Sequence, residues 1–443
     1  MSSRSSSSGF EPQIRTDSMS RLVSSSSRLI LALFTSIVTA RWLGPAGKGV
    51  FTTLHYLATL LTFACTLGLG EATIVLVNRR EFSLEVALSS SIAPTLAAST
   101  LGIGTLFIAG LVAGWGGIWD AVAIAGGFVV VGSLSYLLMG IENARLGLHF
   151  TSLVSIISGV TGIVLMVLFV VVLDGGPAGA MGAVFISTTV ALWLLLRAFR
   201  SEGFSLRPHM DRSFLRRALR TGAALEGAHL LMALAQRADL LIVYWLLGEA
   251  DAGVYSIALT IGQISSYAAG ALSYAAFPRV AAAGQEWQVL TGKVARMAGL
   301  VGFVTGVLLA GLVPVFIPLL LGSSFREAVG VSWVLLFAGI LFGIETTLAR
   351  SAAGSGRTGV FVAVFAVTLL VMLAVDVILV PTYGMQGAAV AAVASVVAGL
   401  ITALVGYHRI GSGIAIRDLI PGKEEATQLV AFARASVSRR SSS

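Results

Sequence analysis

Twelve apolar stretches, each long enough to cross a bilayer and joined by short connections, leave this chain few ways to fold. They run roughly over residues 22–40, 50–77, 85–113, 120–141, 149–173, 178–197, 221–247, 253–277, 296–320, 328–349, 358–380 and 385–407. A helix rising about 1.5 Å per residue crosses a hydrocarbon layer roughly 30 Å thick in about 20 residues, with every backbone polar group bonded internally. Barrel strands would alternate apolar and polar residues over about ten positions, and "LIVYWLL" and "FVVVL" do not. The reading is an all-α polytopic membrane protein with twelve transmembrane helices. Composition agrees: 56% of residues are hydrophobic and 11% charged, against roughly 45–50% and about 25% in soluble domains.

Charge sets the expected orientation. Of 29 Lys and Arg residues, 24 fall in the tails and loops on one side, while Arg41, Lys48 and Arg326 fall on the other. Such a bias predicts a multi-pass protein of a bacterial or archaeal cytoplasmic membrane with both termini cytoplasmic. The net charge of +8 is then explained by basic loops against anionic membrane lipids, and no nucleic-acid partner is expected. Trp42, Trp115, Trp119 and Trp245 fall at the expected outer boundary, where indoles anchor. Cys65 lies inside a run and is read as packing. The first run carries Arg28 and lacks a small-residue cleavage site, so it is read as an uncleaved helix.

The chain repeats itself. A shift of 204 positions lays Leu43, Gly44, Gly49, Val50 and Phe51 on Leu247, Gly248, Gly253, Val254 and Tyr255. Nearly the same shift lays Gly140 to Glu142 on Gly343 to Glu345, and Gly179 to Ala183 on Gly384 to Ala388. Three matches in one order indicate homologous halves. Each half holds six runs, an even number, so the halves form two parallel-repeat six-helix lobes of the kind that rock about a central site in transporters. The expected organisation is a disordered cytoplasmic tail at 1–20, an N-lobe at 21–200, a basic cytoplasmic linker at 201–220, a C-lobe at 221–408 and a cytoplasmic tail at 409–443. Gly44, Gly49, Gly248 and Gly253 are read as structural turn residues, glycine allowing positive φ and close helix approach.

"ARWLGPAGKGVFTTLHYLATLLTFACTLGLGEA" and the segment from Arg237 to Val280 resemble the paired segments of the polysaccharide flippases of the multidrug/oligosaccharidyl-lipid/polysaccharide exporter superfamily. The carriers are Leu43, Gly44, Gly49, Gly68 and Gly70, then Asp239, Leu247, Gly248, Gly253, Tyr255 and Pro278, and the likeness spans about residues 20–408. It implies two lobes of membrane helices and a polyprenyl-linked oligosaccharide turned from the inner to the outer leaflet. Glu71 departs from the pattern, a small or hydroxyl residue being commoner there.

Ionisable groups inside a bilayer are costly, which marks them for function. Arg237 and Asp239 lie near mid-membrane on the seventh run, two residues apart and so on different helix faces. Either Arg237 faces a cavity to attract phosphate with Asp239 as counter-ion or coupling site, or both make interhelical structural contacts. Arg28 either lines the same cavity or snorkels to the inner interface. His55 and Glu71 are cavity candidates as a proton relay, against a structural role for the histidine. Glu142 with Arg145 and Glu345 with Arg350 are read as inner-gate or interfacial ion pairs. Asp376, near the outer end of the eleventh run, is read as solvent-accessible.

Catalysis finds no support. The chain has no phosphate-binding G-x4-G-K-[ST] loop and no His/Cys metal set. No catalytic residue, metal or cofactor is expected; a proton or sodium gradient would supply the driving force. The functional reading is a flippase for a lipid-linked oligosaccharide in surface polysaccharide biosynthesis, working by alternating access, with a polysaccharide polymerase or assembly proteins as further partners. A cation-coupled multidrug exporter, a peptidoglycan-precursor flippase and a membrane glycosyltransferase or polymerase are the alternatives.

Overall fold

The computed structural model describes residues 10–145, 148–205, 207–282 and 287–410, with 419, 422, 425 and 427 beyond them; side chains at 10–30, 144–149, 224 and 271–286 lie outside the description. The architecture is all-α. In chain order the helices are α1 Phe10–Cys65, α2 Leu69–Asn78, α3 Leu84–Val112, α4 Trp119–Arg145, α5 Leu148–Met166, α6 Gly176–Ser201, α7 Arg212–Leu247, α8 Glu249–Ala282, α9 Trp287–Leu321, α10 Ala328–Gly354 and α11 Thr358–Arg409. A π-helical turn, Val167–Val172, extends α5.

Among the described residues, nine helical stretches are long and apolar enough to cross a membrane. Two of them, Leu31–Asn78 and Thr358–Arg409, have 48 and 52 residues, more than twice the roughly 20 a crossing needs. Each contains a glycine with positive φ, Gly44 at 66° and Gly384 at 59°. The first two predicted runs therefore share α1, and the last two share α11. The eighth run falls on α8, which is not among the nine. The second run is also interrupted where the sequence read as continuous: Leu67 and Gly68 adopt φ of 54° and 70°, and α2 restarts at Leu69.

The chain divides into two compact units, residues 1–234 with 248–253, and residues 235–247 with 254–443. In the first unit, a core of Leu69, Leu76, Leu88, Leu137, Leu195 and Phe199 also takes in Phe214 and Ala218 from the start of α7. Those two residues are four apart and share a helix face, while Arg212, Arg216, Arg217 and Arg220 point outward. Hydropathy alone starts the helix at 221 because these arginines hide its amphipathic first turns. Asp211 begins α7, its Oδ1 accepting from the Ser213 hydroxyl and from the amides of Ser213 and Phe214. The Ser213 hydroxyl first, then these amides, hold the Asp211 carboxyl below the usual range. Ser90 of α3 anchors the preceding loop, donating to His209 O (2.9 Å) and accepting from Asp211 N (3.1 Å).

Close backbone approach explains the repeated glycines. A Cβ on Gly49 would collide with the carbonyl of Glu249, and one on Gly253 with that of Pro45. Gly248, at the turn before α8, has φ 98°. In the second unit, Gly262 of α8 and Gly339 of α10 bring their backbones together in the same way. Tyr407 ties α11 to α10 and α9 in that unit, donating to Leu348 O (2.9 Å) and packing on Trp287 at 5.4 Å. Leu101, Val112 and Leu319 are 76%, 84% and 69% exposed, as side chains facing lipid would be.

Candidate functional site

In the second unit, α7, α8 and α11 bring two carboxylates into one apolar interior. Asp239 is buried; its Oδ2 accepts from the Tyr255 hydroxyl of α8 at 2.6 Å and its Oδ1 from Leu240 N at 2.8 Å. Asp376 of α11 is 0% exposed, and neither of its carboxyl oxygens has a hydrogen-bond partner among the described residues. It lies within electrostatic range of both Asp239 and Tyr255. The expectation of a solvent-accessible Asp376 is thus corrected: α11 turns this residue inward, a fact decided by which face of the helix is packed.

Burying a charge costs several kcal/mol unless it is paired or neutralised. Asp239 has donors, while Asp376 has none among the described residues, so a bound proton or monovalent cation would lower the cost of burying this pair. Among the described residues no cluster of three or more His, Cys, Asp or Glu could hold a metal ion. A cavity of about 60 Å³ touches Asp239, Gln263, Ser266 and Ser395, enough for a few waters. Arg237 donates to Gln263 Oε1 on α8 and is also within electrostatic range of Asp239.

The other sequence candidates are dispersed. Glu345 of α10 is fully buried, and its Oε1 accepts from the Thr368 hydroxyl of α11. Arg350 follows on α10. In the first unit, Glu142 of α4 is buried, and the side chain of Arg145, at the end of the same helix, lies outside the description. Arg28 lies on α1, and its side chain likewise falls outside the described residues. His55 packs between Phe51 and Phe128, at 5.8 Å and 5.4 Å between ring centres. Glu71 stands in the first turn of α2.

The first unit also holds a cavity of about 420 Å³, lined by residues that include Thr35, Thr59, Thr62, Ser135, Tyr136 and Ser158, with no charged residue in its lining. Thr59, Thr62 and Ser158 donate to the carbonyls of His55, Ala58 and Ser187. Their hydroxyl hydrogens are thus used on backbone, and lone pairs remain for the cavity. Sequence reading also missed Lys48, which it counted among outer loop cations. It is 5% exposed and donates to Thr39 Oγ1 at 2.9 Å and Ser36 Oγ at 3.3 Å. The only local hint was its place inside the glycine-rich turn, where a helix restarts against its neighbour.

Comparison with known proteins follows the same lines. A family described as polysaccharide biosynthesis protein matches residues 38–330. No curated protein matches the chain. Among solved structures, the chain is similar to an inward-facing multidrug resistance MATE family transporter of the MOP superfamily. That similarity has 18% identity and a TM-score of 0.70, covering 89% of this chain and 98% of the other. It is also similar to the lipid II flippase MurJ in an inward closed conformation, with 15% identity, a TM-score of 0.73 and coverage of 91% and 89%. A MOP superfamily transporter from Pyrococcus furiosus aligns with 16% identity, a TM-score of 0.59 and coverage of 90% and 95%. At these identities the likeness is one of fold.

Proposed function

This chain belongs to the polysaccharide biosynthesis protein family, and from that premise we propose that it is a flippase carrying a polyprenyl-pyrophosphate-linked oligosaccharide from the inner to the outer leaflet. The family match over residues 38–330 carries this reading. The fold shared with MOP superfamily transporters supports it. On this reading the chain crosses the cytoplasmic membrane twelve times with both termini inside, and residues 21–200 and 221–408 are the two lobes of an alternating-access cycle. The polyprenyl tail stays in lipid while the pyrophosphate and sugars cross through a polar path, which avoids carrying charge through hydrocarbon.

Asp239 and Asp376 are the coupling site in this scheme. Their buried carboxylates bind a proton or sodium ion and release it once per cycle, so the ion gradient drives the lobes. Arg237, held by Gln263, draws the pyrophosphate toward the path. Polysaccharide polymerase and assembly proteins receive the product.

Leaflet-resolved labelling of lipid-linked glycan tests the assignment in cells lacking the protein and in cells carrying Asp239→Asn or Asp376→Asn. Depletion of outer-leaflet glycan in all three is expected. Normal outer-leaflet glycan in the deletion strain removes the flippase reading, and normal glycan in both variants removes only the coupling site. The fold shared with a multidrug exporter makes drug efflux the rival, and a deletion strain that gains drug sensitivity while keeping its glycan would favour it.

A further inference from the structure

Glu226 is a buried acid that neither the sequence reading nor the scheme above uses. It lies on α7 in the first unit, is 5% exposed, and has no hydrogen-bond partner on either carboxyl oxygen among the described residues. One turn before it, Gly222 touches Gly68 so closely that a Cβ on either would collide with the other's backbone. Glu71 stands three residues beyond Gly68, in the first turn of α2. Glu226 and Glu71 are within electrostatic range of each other, and both are within range of the Tyr136 phenol on α4. Tyr136 lines the hydroxyl-rich cavity of about 420 Å³.

Among the described residues, no hydrogen bond reaches either Glu226 oxygen. His229, three residues further along α7, and Glu142 on α4 each make interactions of their own. Arg217, toward the start of α7, is largely exposed and pairs with Glu81 at 3.0 Å. Two carboxylates within electrostatic range repel each other, and the buried Glu226 also carries a desolvation cost. A metal ion would need further ligands, and no cluster of three or more acidic, His or Cys residues exists among the described residues. A proton needs none.

We propose that Glu226, with Glu71 beside it, forms a proton-binding site, and that the proton on Glu226 keeps α2 against α7 at Gly68 and Gly222. The hydroxyl-lined cavity beside Tyr136 supplies water for the proton to enter and leave. When the proton departs, two like charges face each other and the glycine contact opens. This site is separate from the Asp239–Asp376 pair and does not depend on what the protein transports.

The test uses the full-length protein in lipid nanodiscs, with sodium or choline as the only added cation. Infrared difference spectra at neutral pH should show a protonated-carboxyl C=O band in the wild type that Glu226→Gln lacks, in either salt. Amide exchange of residues 64–72 and 219–227, corrected for its intrinsic pH dependence, should rise at least about tenfold in the wild type between about pH 6 and pH 9. That rise should vanish in Glu226→Gln. It should vanish as well in the less buried Glu71→Gln, which keeps the test usable should the Glu226 variant fail to fold. Identical spectra for wild type and Glu226→Gln overturn the proposal, as does a full rise in exchange in Glu71→Gln. A band that sodium abolishes and choline does not would make the site a metal-cation site and overturn the proton assignment.

Discussion

Asp239 and Glu226 stand thirteen residues apart on α7, yet they live in chemically different interiors. Asp239, in the second unit, is met by the Tyr255 hydroxyl and the Leu240 amide. Glu226, in the first unit, is met by no donor among the described residues. Donated hydrogen bonds compensate a buried negative charge, while their absence leaves neutralisation as the way to lower its cost. On the two proposals above, one helix therefore carries a donor-held acid of the coupling pair and a donorless acid that binds a proton. The contrast teaches that the placement of donors, more than burial, separates the roles of intramembrane carboxylates.

The sharpest way to break this contrast is to strip Asp239 of its hydroxyl donor. Tyr255→Phe should lower stability by about 2 kcal/mol, the range for a hydrogen bond to a charged group, measured by thermal unfolding in detergent. A melting curve matching wild type would mean that Asp239 does not rely on that bond. Glu345 is an intermediate case with one donor, and Thr368→Val should cost about 1 kcal/mol by the same assay.

A partly buried ion pair comes next. Arg296 Nε donates to Glu425 Oε1 at 2.6 Å and Gly422 N donates to Oε2 at 2.9 Å. Arg296, then the Gly422 amide, hold the Glu425 carboxyl below its ordinary range. A lowered carboxyl contributes stability above its unfolded value and loses it as pH falls through the folded one. Arg296→Gln should therefore cost less than about 1 kcal/mol at neutral pH, and the gap to wild type should close as the solution is acidified below the ordinary carboxylate range. A gap that persisted in acid would assign the effect to packing. The smallest effect belongs to the donorless acid of the second unit: Asp376→Asn should leave stability within about 0.5 kcal/mol of wild type. A large loss there would show that Asp376 is held by charge after all.

Much of the fold was legible because bilayer crossing imposes length and apolarity that no loop imitates. The predicted run at 85–113 and α3 at Leu84–Val112 nearly coincide, as do 328–349 and α10. Gly44 and Gly248, matched by sliding the chain, both have positive φ. The break before α2 was not legible, because "TLGLG" is apolar and glycine does not announce its φ. What requires it is Gly222, more than 150 residues away, whose backbone approaches Gly68 too closely for any side chain.

The candidate site was read only in part. Asp239 stood out as an acid within an apolar run, and Arg237 beside it likewise. Asp376 was assigned to solvent from its distance along the run, Glu226 was passed over, and Lys48 was counted as a loop cation. In each case the error lay in the side chain's direction, and periodicity fixes which residues share a helix face without saying which face meets protein and which meets lipid.

By itself, the sequence determined an all-helical membrane protein, its duplicated turn and the residues too polar to face hydrocarbon, since these follow from backbone hydrogen bonding and the cost of burying charge along a single segment. Only the tertiary structure decided which acids face one another and which donors reach them. Those facts depend on how separate helices pack and on which face each turns toward its neighbours, which no single segment records.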